Sequence, residues 1–326
     1  MTLEFRSLRE NELPQWFEHV SGIFRKTPRS YFERHWYADP WRDLEGIRVA
    51  MDAGRIVGTV RAFRRYVYLG GDAIPMGGIG EVSTRPDYRG QGVSYRLLED
   101  ALRTMEAWGT AVSMLFASRH GHYARHGWSL VRNPLRSLIV RPKKAEAEDG
   151  IRPLDLAAEG DLKQVSQLYA RFSRSMEGPV VRRNDDCYWH RWVAEEWGQG
   201  FGLFRDGRLV GYVALKQQSD GRLFLQEFAF DPVCPAGGPS MADMPAVLLE
   251  QAVAGFGPLA RQVVFPTILD PDNLLGADQA PILEDWMVKV VRPEILSPSA
   301  TAVIQALLAE KAAAPPRFWF WPTDWF

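Results

Sequence analysis

Apolar positions along this chain switch between two periods, and the switching predicts strands and helices in alternation. Between Val93 and Trp108 the residues Leu97, Leu98, Ala101, Leu102 and Met105 fall on one helical face, and Gly109 supplies a stop. The run Ala111-Val112-Ser113-Met114-Leu115-Phe116-Ala117 is short and apolar, as suits a buried strand. Upstream, Asp52-Ala53-Gly54-Arg55-Ile56-Val57-Gly58-Thr59-Val60 reads as a hairpin: a polar turn, then an apolar run whose second glycine marks a bulge or a close approach.

The pattern then repeats. The hairpin signal recurs as Arg205-Asp206-Gly207-Arg208-Leu209-Val210-Gly211-Tyr212-Val213, and Glu81-Val82-Ser83-Thr84-Arg85-Pro86 is echoed by Glu227-Phe228-Ala229-Phe230-Asp231-Pro232. Phe5-Arg6-Ser7-Leu8 stands beside Ile151-Arg152-Pro153-Leu154, and Tyr31-Phe32-Glu33-Arg34 beside Tyr188-Trp189-His190-Arg191. Four pairs in one order, at offsets between 146 and 157 residues, point to a duplication. Each half predicts a strand, helices, hairpin strands, a central strand, a long helix and further strands, which is an α/β (α+β) class with a mixed sheet. Residues 141–150 are charged, lack apolar periodicity and read as a connection. The expected division is a first domain at 1–142, a linker at 143–150, a second domain at 151–293, and a C-terminal helix (Ala302 to Lys311) with an aromatic tail at 294–326.

Composition narrows the class. The 326 residues carry 39 basic and 40 acidic side chains, so no basic field exists to hold nucleic acid. The N-terminus lacks the apolar stretch of a signal peptide, and no run of 18 apolar residues could span a bilayer. Cys187 and Cys234 stand in no metal-like spacing and read as free thiols in a reducing compartment. A cytoplasmic protein without membrane or nucleic-acid partners is expected, as a monomer or a homo-oligomer.

Chemistry concentrates at the turn between the central strand and the long helix. Pro86 ends the strand by removing a ladder donor. Arg89, Gly90, Gln91 and Gly92 lead straight into the helix, and the two glycines let successive N–H groups point into one concavity. The helix N-terminus adds its dipole and unpaired donors, a seat for a pyrophosphate. The run is neither G-x-x-x-x-G-K-[ST] nor G-x-G-x-x-G, since no Lys-Ser or Lys-Thr follows and Tyr95 replaces the third glycine.

Tyr88-Arg89-Gly90-Gln91-Gly92, behind an apolar strand, resembles the acetyl-CoA loop of the GNAT N-acetyltransferase superfamily, with Ser94 where that family has Gly or Ala. The resemblance continues through Leu115-Phe116-Ala117-Ser118 and Tyr123-Ala124-Arg125-His126-Gly127-Trp128, which match the splayed strand, tyrosine helix and Gly-aromatic turn. It implies that the backbone of Val82, Ser83 and Thr84 pairs with the pantetheine of acetyl-CoA. Arg89, Gly90, Gln91, Gly92, Val93 and Ser94 would then cradle the pyrophosphate, with Ser118 beside the cofactor. Tyr123 would protonate the departing thiolate. Ser94 is also small enough to cap the helix. Two such halves, the first with the loop intact, are similar to the enhanced intracellular survival acetyltransferases, without room for their full sterol-carrier-like third domain. That family implies a terminal carboxylate, here of Phe326, as the base. In the second half Pro235 aligns with Arg89 and offers no N–H, so that half is expected to be degenerate and to wall the acceptor site.

Other residues carry weaker signals. His120, His122 and His126 lack the partners of common metal sites, so no metal is expected and one of them could line the acceptor pocket. Glu81 stands where some relatives place a base, but its echo Glu227 lies in the half without a loop, which argues for structure. The twelve tryptophans cluster before the hairpins and read chiefly as core. The tail Phe318-Trp319-Phe320-Trp321-Pro322-Thr323-Asp324-Trp325-Phe326 is too aromatic to leave in water. The expected function is acetyl transfer from acetyl-CoA directly to a primary amine: an aminoglycoside, polyamine, peptide or small metabolite. Other acyl- or aminoacyl-transfer, and acyl-CoA sensing without catalysis, are the alternatives.

Overall fold

The computed structural model describes residues 3–139, 150–182, 188–231, 244–256, 262–269, 275–276, 278–309 and 318–325. The first half runs β1 (Glu4–Ser7), α1 (Leu13–Ile23), α2 (Arg29–Ala38), β2 (Ile47–Asp52), β3 (Arg55–Leu69) and β4 (Asp72–Thr84). It continues with α3 (Val93–Ala107), β5 (Val112–Phe116), α4 (His120–Ala124) and β6 (Ser129–Ile139). The second half repeats the plan with β7 (Ile151–Leu154), α5 (Glu159–Ser173), a π-turn at Tyr188–Val193 running into α6 (Ala194–Trp197), β8 (Gln199–Arg205) and β9 (Arg208–Gln217). There follow β10 (Leu223–Phe230), α7 (Met244–Gly255), β11 (Gln262–Pro266), β12 (Asp278–Val290) and α8 (Pro298–Leu308).

The duplication is visible in backbone detail. The β2–β3 turn places Ala53 and Gly54 at φ 46° and 80°, and the β8–β9 turn places Asp206 and Gly207 at 50° and 74°. Both central residues of each turn thus have the positive φ that matches the twist of a tight hairpin. Each ladder then shifts by one residue at the same point, between Ala50↔Gly58 and Met51↔Ile56 in one half and between Leu203↔Gly211 and Phe204↔Leu209 in the other. The second glycine of each repeat has a packing reason. A Cβ on Gly58 would lie 2.7 Å from Val93 of α3, and one on Gly211 would lie 3.0 Å from Leu248 of α7. Each glycine lets the long helix of its half settle onto the sheet.

Twelve strands form one continuous mixed sheet in the order β1-β2-β3-β4-β5-β12-β6-β11-β10-β9-β8-β7. The halves exchange their last strands: β12 lies antiparallel between β5 and β6, and β6 pairs antiparallel with β11. The interface between the halves is therefore main-chain ladder and buried core. Residues 140–149, most of the expected linker, lie outside the described residues.

The C-terminal helix starts earlier than its apolar pattern suggests, at Pro298, because Ser297 caps it by accepting from the Ala300 N–H and Pro298 occupies the first turn. The tail is docked. Phe318, Trp319, Phe320 and Trp321 are all buried, Trp319 N–H donates to Glu177 O at 2.8 Å, and Phe320 packs on Trp286 at 4.7 Å between ring centroids.

Candidate active site

Strands β4 and β5 pair in parallel only where Met76–Gly78 meet Val112–Met114. Beyond Gly78, β4 stays on β3 while β5 stays on β12, and the two part company. The opening leads to a cavity of about 480 Å³ lined by Val82, Ser83 and Thr84 of β4, Arg89 and Ser94 of the following turn, and Tyr123 of α4, with Ile23, Phe24, Arg119 and His122. Seven of the residues singled out in the sequence, His122 among them, thus share one wall system.

The turn explains why glycine recurs there. Gly90 and Gly92 have φ of 77° and 74°, and a Cβ on either would meet nothing within 4 Å. Backbone conformation demands these glycines, and the space beside them is open. Gly92 is the N-cap residue of α3, and no side chain caps that end. Ser94 therefore does not serve as the cap: it lies inside the first turn, where its side chain faces the cavity. The first-turn N–H groups are left for a ligand or water. The turn is braced by Arg89 Nε to Thr84 O at 3.3 Å, Gln91 Nε2 to Asp87 O at 3.0 Å, and the Tyr88 hydroxyl to Asp52 Oδ2 at 2.5 Å. Val93 is buried against Gly58, so only its backbone is available to a ligand. Ser118 lies exposed just past β5, off the wall of the cavity.

Tyr123 packs edge-on to Trp128 at 6.3 Å, and burial raises its phenol pKa, so it keeps its proton at neutral pH. Ser83 is held from behind by His19 Nε2 at 3.0 Å. Burial pushes the His19 pKa down to about 4, leaving a neutral imidazole.

Glu81 opens onto a neighbouring cavity of about 420 Å³ that shares Phe24 with the first. It sits in a bulge where Glu81 and Val82 oppose the single residue Val60, with φ at 54°. A glutamate in left-handed backbone is strained, and here the strain turns a carboxylate away from the ladder. Arg61 Nη1 lies 3.5 Å from Glu81 Oε1, while Oε2 is buried with no hydrogen-bond partner. Behind them Asp39 Oδ2 accepts from both Arg61 and Arg65 at 3.1 Å. Burial dominates and raises the Glu81 pKa to about 7 against the pull of Arg61.

The acetyltransferase (GNAT) domain profile matches residues 4–131, a span that holds the parted strands, the glycine turn and Tyr123. Residues 4–131 are a GNAT acetyltransferase domain. Over 340 aligned positions the chain is 27% identical to an uncharacterized N-acetyltransferase of Streptomyces coelicolor, covering 99% of this chain and 78% of that protein. Among solved structures, a GCN5-related N-acetyltransferase from Kribbella flavida superposes with a TM-score of 0.69 at 20% identity, over 89% of this chain and 71% of that one. Eis1 from Mycobacterium abscessus gives a TM-score of 0.60 at 15% identity, over 89% and 74%. The protein is an acyltransferase with a tandem GNAT-like fold.

The second GNAT-like half carries buried aromatic rings at the matching strand positions. Val82 and Thr84 correspond in the repeat to Phe228 and Phe230, which are buried against Phe172. Glu227 is fully buried and clamped by Arg182, Tyr212 and the tail's Thr323. Asp324 completes the cluster, accepting from Arg182 at 2.9 Å and from Tyr188 at 2.8 Å. Pro235, which aligns with Arg89, lies outside the described residues, as do Cys187 and Cys234.

The three histidines take separate roles. His120 Nε2 lies 2.9 Å from Asp285, His122 lines the first cavity, and His126 stacks on Tyr95 at 4.3 Å. No cluster of three or more His, Cys, Asp or Glu that could hold a metal occurs among the described residues. Nor, among those residues, is any helix long and apolar enough to cross a membrane. Phe326 lies outside the described residues; Trp325 before it stacks on Phe116, with centroids 5.9 Å apart and planes 15° apart. Arg119 and Phe24 were not legible as site residues, because neither carries a motif and only the folding of α1 and α4 brings them to the cleft.

Proposed function

We propose that this protein moves the acetyl group of acetyl-CoA directly to a primary amine, with one cofactor site per chain, in the first half. One observation carries the reading: a single cavity is lined by Val82–Thr84 of β4, by Arg89 and Ser94 on either side of the glycines, and by Tyr123. The fit to acetyl-CoA rests on the open space beside Gly90 and Gly92 and on the uncapped start of α3. Arg89, Gly90, Gln91, Gly92, Val93 and Ser94 would hold the pyrophosphate, Val82 to Thr84 the pantetheine, and Ser118 the rim. Acetyl-CoA supplies the thioester, whose C–S bond breaks as the N–C bond forms. Tyr123 gives its phenolic proton to the leaving sulfur. Glu81 takes the proton that the ammonium must lose before its nitrogen can attack, a task for which a pKa of about 7 is suited. A carboxylate on residue 326 is a second reading for the base, favoured by the seat of Trp325 at the end of β5.

Calorimetry with acetyl-CoA, followed by coenzyme A release with an amine panel, tests the reading. We expect one site per chain and amine-dependent release. Binding without release from any amine would make the protein a sensor, and release with longer or aminoacyl thioesters only would change the donor.

A further inference from the structure

The acceptor side of Glu81 has a composition that selects among amines. The cavity at Glu81 is walled by Phe24, Tyr31, Phe32, Phe63 and, from the second half, Trp192. His35 packs tilted against Tyr31 and edge-on with Trp192, with centroids 3.9 Å and 4.7 Å apart. A second chamber of about 560 Å³ shares Tyr31 and His35 with the first, and Trp325 of the tail and Phe224 and Gln226 of β10 help to close it. Burial holds His35 below its ordinary pKa, so it adds no charge near neutral pH.

The charges lining the two chambers balance: Glu81, Glu196 and Asp220 against Lys26, Lys216 and Arg222. The two outer acids are already spoken for, since Lys216 lies 2.7 Å from Glu196 and Arg222 lies 2.7 Å from Asp220. Lys26 is exposed at the mouth of the inner chamber. One acidic oxygen, Glu81 Oε2, is buried without a hydrogen-bond partner, and Glu81 lines a space bounded by aromatic rings.

Resting on the transferase reading above, we infer that the acceptor is a primary monoamine carried on an apolar, ring-sized body, and not a polycation. One ammonium satisfies Glu81 among the aromatic rings that line the chamber. The body replaces water against Phe24, Phe32 and Phe63. A second ammonium on the same molecule would lose water and meet Lys26, Lys216 or Arg222, with no unclaimed carboxylate among the lining residues to receive it. The neutral amide and hydroxyl groups of Gln218, Ser219 and Gln226 suit an uncharged polar far end.

The test compares an arylalkyl primary monoamine with a linear polyamine and an aminoglycoside on the full chain. Coenzyme A release gives kcat/KM, and quenching of tryptophan fluorescence gives acceptor binding. We expect the monoamine to exceed both polycations by about tenfold or more in kcat/KM. Tyr31→Ala should raise its KM by about tenfold while acetyl-CoA affinity holds. Lys26→Glu, at an exposed position, should narrow the gap to the polyamine. Equal use of the classes, or preference for a polycation, overturns the inference and leaves the transferase reading standing. Monoamine binding that Tyr31→Ala weakens, without acetyl transfer, supports the pocket's chemistry and overturns the transferase reading. Failure of every amine both to bind and to react overturns both.

Discussion

Glu81 lies in the bulge of β4 and Glu227 next to that of β10, yet one lines a cavity with an oxygen left unpartnered and the other is clamped by Arg182. The same duplicated position is a candidate base in one half and an anchor of the tail's Thr323 in the other. Phe228 and Phe230 are buried against Phe172, whereas Val82 and Thr84 line the first cavity.

Glu81→Gln should abolish the acidic limb of the pH–rate profile. Burial puts the glutamate's pKa at about 7, so its basic form, and with it turnover, rises as pH increases through that value. The folded chain also holds this proton more tightly than the unfolded one. That contribution to stability is complete below the ordinary carboxyl value of 4.5 and is lost as pH climbs through about 7. Melting curves at about pH 5 and about pH 8 should therefore show a drop in the wild type that is smaller in the variant. If the rate profile of the variant keeps its acidic limb, the base lies elsewhere, and a chain extended beyond Phe326 tests the terminal carboxylate.

Tyr123→Phe should lower kcat by about 10² with little change in acetyl-CoA affinity, because it removes a proton donor but keeps the ring on Trp128. An unchanged rate would assign Tyr123 to packing alone.

Arg89→Ala combined with Gly92→Pro should abolish acetyl-CoA binding by calorimetry. Proline cannot adopt the 74° φ of Gly92, so the start of α3 must rearrange, and the first change removes a cation from the cavity wall. Undiminished affinity in this variant would move the cofactor away from the turn.

Arg182→Met should destabilise the fold by about 3–5 kcal/mol, since it strands the buried carboxylates of Glu227 and Asp324 without their cation. Thermal denaturation measures the loss. Limited proteolysis should then release the tail first, because Thr323 and Asp324 are held through this cluster. A variant as stable as the wild type would show that the aromatic contacts of Phe318 to Trp321 hold the tail unaided.

Local chemistry was legible in the sequence. The two hairpins, the span of α3 from Val93, the short run that becomes β5 and the glycine turn all follow from spacing and backbone preference, which act within a few residues. Only the tertiary structure decided the rest. The insertion of β12 between β5 and β6 joins residues more than a hundred positions apart, and β-pairing of that range leaves no periodic mark on either strand. The character of Glu81 was likewise undecided, and its echo in Glu227 even argued for a structural role. What makes it a candidate base is burial that outweighs the pull of the neighbouring Arg61, together with an unpartnered oxygen. A carboxylate's pKa depends on what surrounds it in space, and chain order does not encode that directly.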